Sequence, residues 1–442
     1  MRRQKGVRRK LDNVALAFPA ATGKADSRVF RIYCRLNEQV DGKLLRASLK
    51  AAVRKYPLFQ SVLKRGSFWY YFEKTDQEPV VAAEKRGDAP CAPIYRKQDD
   101  TVLYRVSYRD CDINLEIFHA LTDGTGAIEF LREIVMGYLK RAHGLAEEEE
   151  TASLLSEQEE DSFFRYYSDE KQEKLSRKSR AAYQIRGSRI AQRDMRVMEC
   201  VVSVKDLLGR AKASGVSITE YLTAALIWSV GRSMREEGWG KYSRKPVTIM
   251  VPVNLRKYYP SRSLSNFFGW MEIEYSFRGK ESFEDVLAHI RRRFREDLEK
   301  GQVAARMNRY IGIEKNPFLK PVPLEVKDFF LKLGTMLGSR NVTAVFSNMG
   351  IVKLPARYED YIDRFGAMAS TDKLQMCACS FYDRFYFSVT SKYGYTQIPA
   401  YMAEHLREDG IPVEICRGRE HLRAPERGKT VPGVLFSETE NS

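Results

Sequence analysis

Apolar residues alternate with polar ones over residues 28–36, where Phe30, Ile32, Cys34 and Leu36 take every second position. A period of two predicts a half-buried strand. Asp41-Gly42 supplies a turn, after which Leu44, Leu45, Leu49, Ala52 and Val53 keep helical spacing up to Pro57. The aromatic run Phe68-Trp69-Tyr70-Tyr71-Phe72 is β-prone and predicts another strand. Ile113, Leu115 and Ile117 alternate again, and Ile128, Leu131, Ile134, Val135 and Tyr138 line one face of a helix over 126–141. Further strands are predicted over 195–204, 247–253, 271–275, 342–346, 375–381 and 385–389. Helices are predicted over 204–214, ended by Gly215, and over 219–230, capped by Ser217 or Thr219. Strands and helices interleave in both halves, so the fold class is α/β (α+β) with two domains of similar size.

Charge adds the boundary between them. Residues 147–150 are all glutamate, 157–161 extend the acidic run, and 171–196 are strongly basic. Segregated charge of this kind fits exposed helix or linker rather than core. The chain thus divides into a first half at 1–145, a charged connector at 146–194 and a second half at 195–442. Over the full 442 residues, 74 Lys and Arg stand against 58 Asp and Glu, a net charge of +16. Such a balance points to polyanionic partners: nucleic acid, an anionic membrane surface or the phosphates of a co-substrate. The aromatic residues fall at core parities instead of interleaving with an exposed basic stripe, which argues against nucleic acid. Arg2, Arg3, Lys5, Arg8, Arg9 and Lys10 form the densest cluster and read as a solvated basic arm, with contact to a membrane surface as the alternative. No apolar run reaches the roughly 18–20 residues of a membrane span, and no signal-peptide core follows the arm. Cys34, Cys91, Cys111, Cys200, Cys377, Cys379 and Cys416 show neither metal nor disulfide spacing. Cys377 and Cys379 share one strand face, but no second pair completes a zinc site, so no metal is expected. Sparse cysteine fits a cytoplasmic protein.

One local constellation carries chemistry: Phe118-His119-Ala120-Leu121-Thr122-Asp123-Gly124. His119 stands just past a strand and shares the parity of Ile113, Leu115 and Ile117, so its imidazole points to the core side of the sheet. Gly124 permits a tight reversal into the next helix. A histidine held there is placed to act as a general base, since its ordinary pKa lies near neutrality. The competing reading is a buried histidine satisfied by backbone groups. His143, His289, His405 and His421 have no comparable setting.

The pattern His119-x-x-x-Asp123-Gly124 resembles the signature of the chloramphenicol-acetyltransferase-like acyltransferases. That superfamily includes nonribosomal condensation domains, plant BAHD enzymes and the alcohol O-acetyltransferases of bacteria and yeast. Other landmarks follow the same order. Tyr56-Pro57-Leu58-Phe59 is similar to the step after the family's first helix. The stretch from Gly215 to Ala225 is similar to the opening helix of its second half. Val251-Pro252-Val253-Asn254-Leu255-Arg256 and Asn266-Phe267-Phe268-Gly269 resemble its Pro-Val-x-x-Arg and Gly-Asn segments. Val345-Phe346-Ser347-Asn348-Met349-Gly350 resembles the Ser-Asn-x-Gly strand end of the alcohol acetyltransferases. Phe118 replaces the first histidine of the condensation domains, and no Asp-Phe-Gly-Trp-Gly of the BAHD type is present. The nearest branch is therefore the alcohol acetyltransferases.

The resemblance implies two chloramphenicol-acetyltransferase-like halves, each a mixed sheet backed by helices, with an inter-domain tunnel. His119 would be the general base, with Asp123 and Gly124 completing the catalytic loop. Acyl-CoA would be the co-substrate, no cofactor would be bound permanently, and the acceptor would be a small alcohol or other hydroxyl. The basic surplus would then serve the phosphates of coenzyme A. Ser347 and Asn348 would bind substrate as oxyanion donors, unless they only form a turn. Arg256 would be the structural ion-pair partner of Asp123, unless that aspartate only caps its helix, and Asn266 would be structural. Two rivals remain: a condensation-type enzyme with an amine acceptor, and a non-catalytic binding protein of the same fold.

Overall fold

A computed structural model describes residues 8–97, 99–145, 155–168, 179–236, 238, 245–315 and 320–417. The acidic run at 147–150, residues 171–178 of the basic stretch, Arg2, Arg3, Lys5 and His421 lie outside the described residues.

The alternating segments of the first half form strands, but Val29–Leu36 is buried on both faces instead of one, because Arg31 on the polar parity is held by Glu84 and Glu116. Val29–Leu36 lies antiparallel to Asp112–Phe118, with Phe30 opposite Ile117 and Ile32 opposite Leu115. Tyr104–Arg109 and Val81–Ala83 extend this sheet on one side. The helices Gly42–Lys55 and Gly124–His143 bury Leu45, Leu49, Ala52, Phe130, Leu131 and Ile134 in the same core. The second helix starts two residues earlier than its apolar stripe predicts. Gly124 and Gly126 are poor helix formers, and the cap supplied by Asp123 offsets that cost. The aromatic run at 68–72 is not one strand. Gly66 N–H donates to the Trp69 carbonyl and closes a hairpin between Ser61–Arg65 and Tyr70–Lys74, leaving Phe68 on the turn.

The second half builds a seven-stranded mixed sheet. Its order is Phe268–Tyr275, Val247–Asn254, Ala344–Ile351, Leu374–Phe381, Arg384–Ser391, Arg196–Ser203 and Glu414–Arg417. Ala344–Ile351 runs parallel to both neighbours, and the other pairings are antiparallel. Helices Ile218–Glu236, Phe283–Asp297 and Ile398–Glu408 bury their apolar stripes against it.

Three features depart from the division of the sequence. Ile362–Ala369, deep in the second half, is the edge strand of the first half's sheet, paired antiparallel to Val29–Leu36. Its outward carbonyls are taken by side chains of the other sheet: Cys379 Sγ donates to Phe365, Ser388 Oγ to Ala367 and Thr390 Oγ1 to Ala369. Three outward carbonyls of this strand thus find donors on the other sheet, which covers the edge. The connector is also less exposed than its charge suggests. Ser162–Arg165 buries Phe163 edge-on against Phe267, and Tyr183 and Ile185 belong to the second core. The basic arm departs likewise: Arg8–Lys10 pairs with Tyr70–Lys74 as a strand, and the Arg9 guanidinium lies over the Phe72 ring.

Candidate active site

His119 follows directly on Asp112–Phe118, its backbone N–H still donating to the Arg28 carbonyl. The ring is held between three aromatic side chains. Phe18 stacks on it at 4.5 Å, while Phe30 and Phe268 lie tilted at 4.9 and 5.5 Å. Phe18 comes from the helix Ala17–Ala21, Phe30 from the paired strand and Phe268 from the second half, so the histidine sits where the halves meet. The ring hydrogen-bonds its own backbone carbonyl, and Nδ1 lies 3.3 Å from Asn266 Oδ1. With the proton on Nδ1, it donates to that oxygen. Nε2 has no hydrogen-bond partner among the described residues. Burial pushes the imidazole below its ordinary 6.5, against the pull of the carbonyl, the Asp123 charge and Asn266. A neutral ring with one free lone pair is the form that accepts a proton.

Asn266 is itself held. Its backbone N–H and Nδ2 both donate to Asp12 Oδ2, and Ala15 N–H donates to Asp12 Oδ1. Asp12 is 4% exposed, and desolvation pushes it up to about 7 despite these donors. An Asp12–Asn266–His119 chain thus spans both halves. Asp12 lies in no motif, and only its buried position in three dimensions distinguishes it. Asn266 thus hydrogen-bonds the imidazole on one side and Asp12 on the other.

Asp123 performs both tasks that the sequence left as alternatives. Oδ1 accepts from Thr125 and Gly126 N–H and caps the helix. Oδ2 accepts from Arg256 Nη1 at 2.7 Å and from Phe267 N–H at 2.9 Å. The Arg256 guanidinium also donates to the carbonyls of Ser263 and Ser265. This buried latch ties the first turn of the helix to the loop that carries Asn266. Gly124 sets the approach of Met349, whose thioether would lie 3.1 Å from an added Cβ. The stricter position is Gly126, which the motif omits: a Cβ there would meet Thr122 Oγ1 at 2.2 Å and the Leu264 carbonyl oxygen at 2.5 Å.

Ser347 and Asn348 part company. They are neighbours on Ala344–Ile351, so their side chains leave opposite faces. Asn348 Nδ2 donates to Thr219 Oγ1, and its Oδ1 accepts from Gly350 N–H, which shapes the bulged strand end. Ser347 shares the face of Met349, which packs on the first-half core and touches Gly124. The Ser347 hydroxyl has no hydrogen-bond partner among the described residues. The other described histidines are occupied elsewhere: His143 on Glu38, His289 on the Glu274 carbonyl and His405 against Phe283. Burial pushes the Cys377 thiol up to about 12, far from a thiolate at neutral pH.

No protein-family model and no curated relative matches the chain. Solved structures do. Polyketide synthase associated protein 5 from Mycobacterium tuberculosis is 14% identical, with 91% of this chain and 97% of that one covered and a TM-score of 0.57. Trichothecene 15-O-acetyltransferase TRI3 from Fusarium sporotrichioides is 10% identical, with 92% and 95% covered and a TM-score of 0.58. TRI101 of F. sporotrichioides, solved with coenzyme A and T-2, is 13% identical, with 91% and 97% covered and a TM-score of 0.58. The chain shares the fold of these structures, with mixed sheets backed by helices.

Proposed function

We propose that the protein transfers an acyl group from a coenzyme A thioester to a hydroxyl acceptor, with His119 as general base. The observation that carries this reading is the imidazole: Nδ1 is committed, Nε2 is free, and burial favours the neutral ring. It is supported by the fold shared with an O-acetyltransferase and with a protein solved holding coenzyme A. In the proposed step Nε2 takes the hydroxyl proton as the oxygen attacks the thioester carbonyl. The tetrahedral oxyanion collapses, the carbon–sulfur bond breaks, and the imidazolium returns the proton to the leaving thiolate. The products are an ester and free coenzyme A, with no acyl-enzyme. Ser347 is the donor proposed for the oxyanion, since its hydroxyl is uncommitted on the face that meets the catalytic loop. Asn348 is proposed to support that strand end. Asp123, Gly124, Arg256 and Asn266 are proposed to hold the loop, with the two halves of the sequence meeting at His119.

The test is a panel of acyl-CoAs against alcohols and amines, read by release of free thiol. Hydroxyl-dependent thiol release, lost in His119→Ala, is expected. Amine-dependent release alone would move the protein to the condensation type. Binding of acyl-CoA without turnover on any acceptor would make it a binding protein of this fold.

A further inference from the structure

The helix Leu324–Ser339 is built inside out. Its inward side carries Leu324, Asp328, Leu331, Thr335 and Ser339, and the buried Asp328 is fastened by the Tyr70 hydroxyl at 2.7 Å. The side turned to solvent is apolar. Val326 is 42% exposed, Phe329 64%, Phe330 63%, Leu333 36%, Met336 53% and Leu337 48%. At about 100° per residue these six side chains fall within an arc of about 120°, and the 16-residue helix runs about 24 Å. Phe68, 46% exposed, continues the patch from the neighbouring hairpin turn, where Leu324 N–H donates to the Ser67 carbonyl. Core helices hide such an arc. Exposed apolar surface of this extent marks an interaction site.

We infer that Leu324–Ser339 lies flat in the headgroup region of an anionic lipid surface, with Phe329, Phe330, Leu333, Met336 and Leu337 inserted. Charge selects this partner. Lys327 and Lys332 flank the arc on its two sides, Lys320 and Arg340 stand at its ends, and the acid on the rim, Glu325, is paired with Arg65. Lys320, Lys332 and Arg340 have no ion-pair partner among the described residues. A basic rim around an apolar stripe is the pattern of interfacial helices, and basic residues near an anionic leaflet add attraction. A second copy fits poorly, because a two-fold contact would press this same basic rim against itself in a chain of net charge +16. No helix among the described residues is long and apolar enough to cross a membrane, so the geometry is one of lying on the surface. The Leu324–Ser339 helix packs against Ala17–Ala21, whose Phe18 stacks on His119. The inference stands without the proposed acyl transfer, since it uses none of that machinery.

The experiment is co-sedimentation of the full chain with vesicles of phosphatidylcholine alone and of phosphatidylcholine with 30% phosphatidylglycerol, at low and high salt. Binding is expected on the anionic vesicles and weakened by salt. Phe329→Glu/Phe330→Glu should reduce partitioning at least tenfold. These positions face solvent, so an unchanged melting transition confirms that the variant is folded. Lys332→Glu/Arg340→Glu should remove the preference for anionic vesicles. Wild-type protein that ignores vesicles, or a phenylalanine variant that binds as well as wild type, overturns the inference. A concentration-dependent dimer in sedimentation velocity, abolished by Phe329→Glu/Phe330→Glu and unaffected by vesicles, overturns it in favour of a second copy.

Discussion

At the scale of single residues the chemistry rests on one nitrogen. Removing His119 takes away the proposed base and one hydrogen bond to another side chain, that to Asn266, which keeps its two bonds to Asp12. His119→Ala should lower turnover on a confirmed substrate by about 10²–10⁴ while the melting transition persists. Near-wild-type turnover would end the mechanism. The protonated imidazole cannot accept the acceptor's proton, so kcat/KM should fall tenfold per pH unit on the acid side. Burial lowers this pKa, so the midpoint of that limb belongs below 6.5. Asp12 titrates in the opposite sense. Its folded pKa, about 7, stands above the ordinary 3.8, so the folded state holds a proton that the unfolded chain has released. Its contribution to stability is complete below 3.8 and is lost as pH rises through 7. Wild-type stability relative to Asp12→Asn, measured by urea unfolding, should therefore decline from pH 4 to pH 7. A difference independent of pH would show that Asp12 does not titrate in this window.

At the scale of elements the latch makes a sharper forecast than the motif did. Asp123 uses one oxygen as a cap and the other for Arg256 and Phe267. Asparagine has one acceptor, so it can keep the cap or serve the arginine, and its NH2 then faces donors. Asp123→Asn should cost about 3–5 kcal/mol, the range for stranding a buried charge, not the ~1 kcal/mol of a lost cap. Thermal unfolding of that variant beside Arg256→Ala and the double variant measures the coupling. A stable, active Asp123→Asn protein would reduce the aspartate to a cap. Gly126→Ala should likewise destabilise far more than Gly124→Ala. The first collides with a backbone carbonyl, and the second with a thioether that can turn aside.

The strands and helices nearest this latch were legible because each writes its own period. Alternation in Val29–Leu36 and Asp112–Phe118, and the stripe in Gly124–His143, are local patterns that mark the elements, although both strands are buried on their polar parity as well. The family resemblance also paired Asp123 with Arg256, and no local period of the sequence would have done so. Asp12 and the aromatic cage were not legible, because Phe18, Phe30 and Phe268 come together only through pairing across more than two hundred residues. Ser347 and Asn348 read as a unit in sequence, yet strand geometry sends them to opposite faces. The outward-turned Leu324–Ser339 has a good helical stripe, and a stripe does not say which way it points.

At the scale of the whole molecule the halves are not separable pieces. Ile362–Ala369 completes the first sheet, and hydroxyls from the second sheet close that strand's free side. A fragment ending at residue 194 would leave Val29–Leu36 unpaired on one edge and its apolar face open. Such a fragment should lack a cooperative melting transition and aggregate on concentration, and light scattering with near-ultraviolet circular dichroism would reveal both. A sharp two-state melt from that fragment would show that the returning strand is dispensable.

The same strand sets a timetable for synthesis. The last helix of the first core ends at His143, and the ribosome must then add 226 residues before Ala369 exists. At about 5–20 residues per second the nascent sheet waits roughly 11–45 s with one edge uncovered. That edge reads Val29-Phe30-Arg31-Ile32-Tyr33-Cys34-Arg35-Leu36, a strand whose open side would invite pairing with other chains. In the finished protein Arg31 is buried between Glu84 and Glu116 and Arg35 meets Asp112. All three of these carboxylates precede His143, so the pairs can form before Ala369 exists, and they leave the backbone groups of the edge unguarded. Until the returning strand arrives, that edge is where the young chain is open to pairing with its neighbours.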